Sequence, residues 1–208
     1  MRSDANRGRG RPAPARSFVP NRVGAYECKA WVTYYRREWG QLLVASVGLV
    51  QAGFHMRWHR TLHGAWLVLR ANQLWAREPV NDPDGARRCM ERFYRLVAAD
   101  SGEPLDTVEA ARLEVEWWRV HREHQHAPDG DPVPDPVDRL VDAVTALYAF
   151  VYRCPPAVVR PAADLRARAM DVSDRWVAEG CLLASPLVAE ERALLVRSYA
   201  ALLAAVHR

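Results

Sequence analysis

The sequence predicts an all-α fold, a compact bundle of six to seven helices behind a disordered N-terminal tail. Half of the 208 residues are hydrophobic, which is enough to form a sizeable core in one domain. From residue 23 onward, apolar residues recur with the period of an amphipathic helix. Clusters of Gly and Pro divide the chain into segments of helical length, and no alternating pattern between them indicates a hairpin.

The basic tail is predicted to span residues 1–22, and a single helical domain residues 23–208. The tail contains six Arg and one Asp, a net charge of +5, so the domain carries −1 of the chain's total of +4. Its Arg, Gly, Pro and Ala cannot bury enough surface to offset the entropy of ordering. A near-neutral domain lacks the positive field of a duplex-binding protein. Residues 9–12, the last four of the Arg- and Gly-rich segment 7–12, resemble the core of an AT-hook, which would give weak contact with nucleic acid or anionic lipid. An ordinary solvated tail is the alternative, and we favour it.

The first predicted helix spans residues 24–39 and ends near Gly40, a residue type that commonly terminates helices. The next stretch, residues 41–76, contains no Pro. It could form one long helix or two helices that break near Gly53 or Gly64.

Later helices are marked by Pro directly after Asn, Asp or Ser, which is a typical start signal because Pro suits the first helical turn. Such pairs occur at Pro83, Pro136 and Pro186. Gly102 and Gly180 mark helix ends. The predicted helices, separated by short loops and a Pro- and Asp-rich loop at 128–136, span residues 83–101, 104–126, 136–153, 161–179 and 186–206.

Cysteine spacing and hydropathy bear on the cellular location of the protein. The four cysteines are far apart and form no C-x-x-C pair, which argues against a structural zinc site or a disulfide framework. The N-terminus has no apolar region typical of a signal peptide. The longest apolar stretch, residues 42–54, is too short and too interrupted to cross a bilayer. These features predict a cytoplasmic protein with buried free thiols and no transmembrane segment.

A first group of polar residues lies on the first predicted helix. Glu27, Tyr34 and Glu38 fall on one face with Trp31, because their spacing matches the helical period. Two carboxylates on an inward face would suit metal binding or proton transfer. Alternatively, both Glu residues lie at the edge of the apolar face and pair with Arg, and we favour this interpretation.

A second group lies on the predicted helix 104–126. His121 and His124 fall on the apolar face that includes Trp117, and Glu114 and Glu116 lie at its two margins. Buried carboxylates and imidazoles need partners or change their protonation. A metal site or an acid–base pair would supply partners, and so would an ion-pair network with the many Arg residues. We favour the ion pairs.

A third group, His55, His59 and His63, recurs every four residues. Successive His on one helix can bind a transition metal. The same face also carries Gln and Arg, so a solvated polar stripe is the preferred interpretation.

Four sequence strings resemble those of an uncharacterised all-helical family from high-GC bacteria. The resemblance covers most of residues 25–126 and implies a helical fold. That family has no assigned activity, so the resemblance implies no functional residues. The strings are Tyr34-Tyr35-Arg36-Arg37, Asn72-Gln73-Leu74-Trp75, Asn81-Asp82-Pro83-Asp84 and Glu116-Trp117-Trp118-Arg119-Val120.

The sequence contains no Gly-rich phosphate loop, nucleophile elbow, zinc-protease motif or dinucleotide fingerprint. We therefore expect a non-enzymatic helical module that needs no cofactor and binds a protein partner or an apolar small molecule. Its many aromatic residues favour this hypothesis.

The alternative hypothesis is a metal-dependent enzyme in a ferritin-like or haem-oxygenase-like bundle that binds iron or manganese. Helix bundles place such metals between facing carboxylates and histidines. The one Glu-x-x-His spacing, Glu123 to His126, falls on the polar side at a helix end, which counts against it. The candidate ligands are Glu27, Glu114, Glu116, His121 and His124.

Overall fold

The structure is a computed structural model that describes residues 16–77, 79–126 and 136–207. These residues are almost entirely helical and contain no strand, which confirms the all-α prediction. They form eight helices, one more than the upper predicted number: α1 (Pro20–Tyr35), α2 (Trp39–Phe54), α3 (Trp58–Trp75), α4 (Pro83–Ser101), α5 (Thr107–Gln125), α6 (Pro136–Tyr152), α7 (Pro156–Ala178) and α8 (Pro186–Val206).

The first turn between helices lies earlier than predicted, because α1 ends at Tyr35 and Trp39 already begins α2. Arg37 adopts a left-handed conformation with φ of 59° and reverses the chain. The Pro-free stretch that follows forms two helices. His55, with φ of 49°, ends α2 and donates its backbone N–H to the carbonyl of Gln51.

Side-chain caps explain several other helix starts. Asp82 accepts a hydrogen bond from the backbone N–H of Gly85 at 2.7 Å, so α4 begins at Pro83 as predicted. Asp106 caps α5 in the same way, which moves its start from the predicted residue 104 to Thr107. The prediction for α7 is wrong by five residues, because the helix begins at Pro156 and Pro161 lies inside it.

The boundary of the tail also needs correction. Pro20 begins α1 within the predicted tail, and Phe18 is only 3% exposed. The ring of Phe18 packs edge-on against Tyr199 with centroids 5.8 Å apart, and burial of this aromatic side chain helps to order its neighbours. The AT-hook-like segment 7–12 and the predicted loop 128–135 lie outside the described residues.

The eight described helices form a closed ring. Each helix packs against its neighbours in sequence, and α8 packs against α1. The closure is tight, because a Cβ atom on Gly24 would lie 2.7 Å from the backbone nitrogen of Val196. At the other end of the same pair of helices, Arg36 donates to the carbonyl of Cys181 at 3.0 Å. These contacts show that α1 and α8 run antiparallel and leave a shared centre between all eight helices.

The helices and the cysteines bear on two further sequence predictions. None of the described helices is both long and apolar enough to cross a bilayer. All four cysteines are free thiols, of which Cys28 is buried and the other three are half-buried.

Candidate functional site

A cavity of about 250 Å³ occupies the centre of the ring. Side chains from all eight helices line it, because each amphipathic helix turns its apolar face inward. Aromatic side chains dominate the lining. They are Phe18, Trp31, Tyr34, Tyr35, Phe54, Trp75, Phe93, Tyr94, Trp117, Trp118, Tyr148, Tyr152 and Tyr199.

A buried ion pair lies at the cavity wall between α1 and α7. The Arg166 guanidinium donates from Nη2 to Glu27 Oε1 at 2.5 Å and from Nη1 to the hydroxyl of Tyr148 at 3.2 Å. It also lies 4.7 Å from the centre of the Trp117 ring. Burial disfavours its charge, but the nearby Glu27, Tyr148, Tyr199 and Glu114 together outweigh burial and hold the pKa of Arg166 well above its ordinary value. Arg166 therefore stays charged.

Glu114 on α5 is the second carboxylate of the cavity. Its Oε2 accepts a hydrogen bond from the hydroxyl of Tyr94 at 2.7 Å, and its Oε1 accepts one from the indole N–H of Trp117 at 3.2 Å. Burial raises the pKa of Glu114, while the nearby charge of Arg166 opposes the rise. Burial and the negative charge of Glu114 together raise the pKa of Tyr94. Glu114 is thus held by neutral donors.

The cavity reaches the surface at the C-terminal end of α5. Gln125 lines the cavity and is exposed. Its amide donates to the hydroxyl of Tyr35 at 2.8 Å and to Asp174 Oδ1 at 2.5 Å. His121 Nε2 lies 3.1 Å from the other oxygen of Asp174. Polar groups therefore frame this opening, and Glu27, Glu114 and Arg166 are the charged groups on the rest of the wall.

Four of the seven predicted site residues line the cavity, namely Glu27, Tyr34, Glu114 and His121. The other three lie elsewhere. Glu38 is not on α1, because that helix ends three residues earlier, and it forms an ion pair with Arg36 at 2.7 Å.

The two remaining residues lie on α5 but outside the cavity lining. Glu116 pairs with Arg119 at 2.7 Å, and this contact lowers the pKa of Glu116. His124 Nε2 lies 3.0 Å from Asp171 Oδ1. The guanidinium partners that we favoured are present for Glu27 and Glu116, whereas carboxylates of α7 hold the two His residues.

The predicted iron or manganese ligands do not form one cluster in this arrangement. A different group could hold a cation, because His124, Asp171 and Asp174 each place one ligand atom within 4.8 Å of the others. The two Asp residues lie on α7, on a face that we did not assign from the sequence. The predicted stripe of His55, His59 and His63 on one helix is wrong, because His55 ends α2 whereas His59 and His63 lie on α3; all three are exposed, as a solvated position predicts.

Arg166, which lines the cavity and pairs with Glu27, was not among the predicted site residues. A signal for it exists in the sequence. Arg166 lies on the same helical face as Ala163 and Met170, and all three are buried. A charged residue in the middle of an apolar stripe indicates a buried partner, and here that partner is Glu27.

Comparison with known proteins adds no functional information, so any functional inference rests on the residues described above. No protein-family model, curated protein or solved structure matched the chain.

Proposed function

We propose that the protein binds an apolar small molecule in the central cavity, without carrying out a reaction. The observation that carries this proposal is the aromatic lining of a 250 Å³ space to which every helix contributes. An apolar cavity of roughly 150 Å³ accepts benzene. The space available here therefore suits a bicyclic ring or a chain of similar bulk.

The energetic cost of the cavity supports the proposal. An enclosed, dry cavity costs on the order of 24 cal/mol per Å³, so about 6 kcal/mol is the upper bound for this volume, and water that enters through the opening lowers it. That is comparable to the net stability of a typical domain. Water near the polar wall reduces the cost, and a ligand that contacts the rings offsets it further.

The polar groups around the cavity favour binding over catalysis. Glu27 is occupied by Arg166, and both oxygens of Glu114 accept hydrogen bonds. The cavity wall contains no Ser–His or Cys–His pair within hydrogen-bond distance among the described residues, so it offers no activated nucleophile of that kind.

Replacing a cavity-lining glycine with a larger apolar residue tests the proposal. Gly53 lines the cavity, and a Cβ atom there would meet nothing within 4 Å. We expect Gly53→Leu to fold at least as stably as the wild type, because Leu favours the helix and occupies empty space. The substitution should weaken the binding of naphthalen-1-ylmethanol, indole and 1-octanol at least about tenfold, measured by calorimetry and by the shift in Tm.

Gly40→Leu is the matched control. Gly40 lies on the same helix, is exposed and also has nothing within 4 Å of a Cβ atom. It should bind these compounds like the wild type. Equal affinity of both variants would show that binding occurs outside the cavity. A wild-type protein that binds none of the three compounds would contradict the proposed function.

A further inference from the structure

The deep wall of the cavity contains more negative than positive groups. Glu27 and Glu114 both line it, and the charge of the Arg166 guanidinium acts on both. Arg166 donates its hydrogen bonds to Glu27 and to the hydroxyl of Tyr148. Its hydrogen bonds thus go to Glu27 and Tyr148, and Glu114 receives no hydrogen bond from a cation in the described part of the chain.

Glu114 differs from Glu27 in what it faces. Glu27 is only 3% exposed, whereas Glu114 is half-buried although protein surrounds it. The accessible surface of Glu114 therefore faces the cavity. Its two oxygens accept hydrogen bonds from Tyr94 and Trp117, which are neutral donors, and the charge of Arg166 acts on Glu114 without a hydrogen bond.

The other cationic side chain of the cavity is too far along the helix to balance this charge. Arg122 follows Glu114 by eight residues on α5, a rise of about 12 Å. Its guanidinium lies 4.2 Å from the centre of the Trp75 ring, and it donates to the carbonyl of that residue at 2.9 Å. Arg122 therefore belongs to the open end of the cavity.

Aromatic faces near Glu114 add a second attraction for positive charge. The face of an indole or phenol ring carries negative potential and attracts cations. Arg166 already lies against the Trp117 ring, which shows that this wall accommodates a cation. The ring of Trp118 packs edge-on against Trp117 with centroids 6.1 Å apart. Carboxylate and rings together resemble the chemistry that recognises amines.

We propose that the ligand of the cavity carries a positively charged nitrogen, which binds beside Glu114, and an apolar body that packs against the surrounding rings. This inference rests on the proposed function and specifies its ligand class as hydrophobic amines. An acidic ligand fits less well. It would have to displace Glu27 from Arg166 and would lie close to two carboxylates, which costs free energy in a poorly solvated space.

Three probes that share one ring system test the inference by calorimetry at pH 7.5. They are naphthalen-1-ylmethylamine, naphthalen-1-ylmethanol and naphthalene-1-carboxylate. We expect the wild type to bind the amine at least about tenfold more tightly than the alcohol and to bind the carboxylate most weakly. Glu114→Gln keeps the size of the side chain, and it should lower amine affinity to that of the alcohol while alcohol affinity changes less than about twofold.

Glu116→Gln is the matched control, because Glu116 lies on the same helix, pairs with Arg119 and does not line the cavity. It should keep the preference for the amine. If the Glu114 variant does not fold, the ratio of amine to alcohol affinity in the wild type still decides the question.

The outcomes separate this inference from the proposed function. Equal wild-type affinities for amine and alcohol, or an amine preference that persists in Glu114→Gln, would overturn the cation inference and leave binding in the cavity intact. Preference for the carboxylate would overturn it in favour of Arg166 as the recognition group. Binding of none of the probes would contradict both proposals.

Discussion

Arg166 and Glu27 are both buried, with relative exposures of 7% and 3%. Removing two charges from water costs several kcal/mol per ion, and the cost is recovered only when each charge keeps its partner. The contact joins α1 to α7, which are not neighbours in the ring. The pair therefore adds a buried polar contact between two helices that also share an apolar cluster, to which Cys28 and Val172 belong.

Breaking the pair should destabilise the fold more than breaking a surface pair on the same helix. We expect Arg166→Met to lower the free energy of unfolding by about 3–5 kcal/mol, because Glu27 is left charged and buried. Arg168 pairs with Asp164 at the surface, so Arg168→Met should cost less than about 1 kcal/mol. Urea denaturation measures both. Equal costs would mean that Glu27 does not need a counterion.

Glu191 on α8 is a second buried carboxyl, with 0% exposure. Its polar neighbours include Cys28 and Ser173, but neither of its oxygens accepts a well-formed hydrogen bond from the described residues. Burial raises the pKa of Glu191 from 4.5 to about 8, and the charges of Glu27 and Asp174 add to the rise. The folded protein thus keeps a proton that the unfolded chain releases near its ordinary pKa.

This difference makes stability depend on pH. Between pH 4.5 and 8 the folded state binds more protons than the unfolded state, so the free energy of unfolding falls as the pH rises. We expect Glu191→Gln to match the wild type near pH 4.5 and to be more stable near pH 8.5, by on the order of 3–5 kcal/mol.

Urea denaturation across this pH range tests the prediction. Glu190→Gln is the control, because Glu190 is exposed and pairs with Arg175 at 3.3 Å. It should follow the wild type at each pH. A Glu191→Gln variant with no added stability at pH 8.5 would show that the carboxyl is already ionised in the folded protein.

At the scale of the helices, boundaries were predictable where the residues at the boundary themselves carry a capping signal. The starts of α4 and α8 follow from a Pro after a capping residue, at Pro83 and Pro186, and α6 begins at Pro136 as predicted. The turn after α1 has no such signal. It depends on a left-handed Arg37, and Arg is not a residue type that marks this conformation. The misplaced Glu38 has the same cause, whereas the division of the Pro-free stretch into two helices occurs at the left-handed His55.

Long-range contacts explain the remaining errors. The burial of Phe18 depends on Tyr199, which lies far away in the sequence. Likewise, α5 offered Glu114 and His121 as candidates from its own periodicity, but their partners lie on α4 and α7. Helical phase predicts which side chain faces inward. It does not predict which helix faces it across the cavity, because ring order depends on packing among all eight helices.

At the scale of the molecule, α1 packs against α8 and closes the ring. Residue 16, just before α1, and residue 207, just after α8, therefore lie at the same end of this helix pair. Phe18 lies beside Tyr199, two helical turns before the end of α8. A linker of about eight residues can span more than 20 Å, which exceeds the roughly 10 Å rise of those two turns. The chain can therefore be joined there and opened elsewhere without loss of a helix contact.

We expect a circular permutant that joins Val206 to Arg16 through such a linker, and opens between residues 126 and 136, to fold like the original chain. Its Tm should lie within about 5 °C, and its helical circular dichroism should be unchanged. A control permutant opened between Ala167 and Arg168 interrupts α7 and should lose cooperative unfolding. Failure of the first permutant to unfold cooperatively would contradict the closed ring.

The cavity wall is built from eight separate stretches of chain, and this affects how ligand preference can change during evolution. A substitution on one helix reshapes one sector of the wall, and the contacts between the other helices stay as they are. Ligand preference can then change in single mutational steps while the scaffold is retained. A number of substitutions that would abolish binding at a site built on one loop would here change which ligand is preferred.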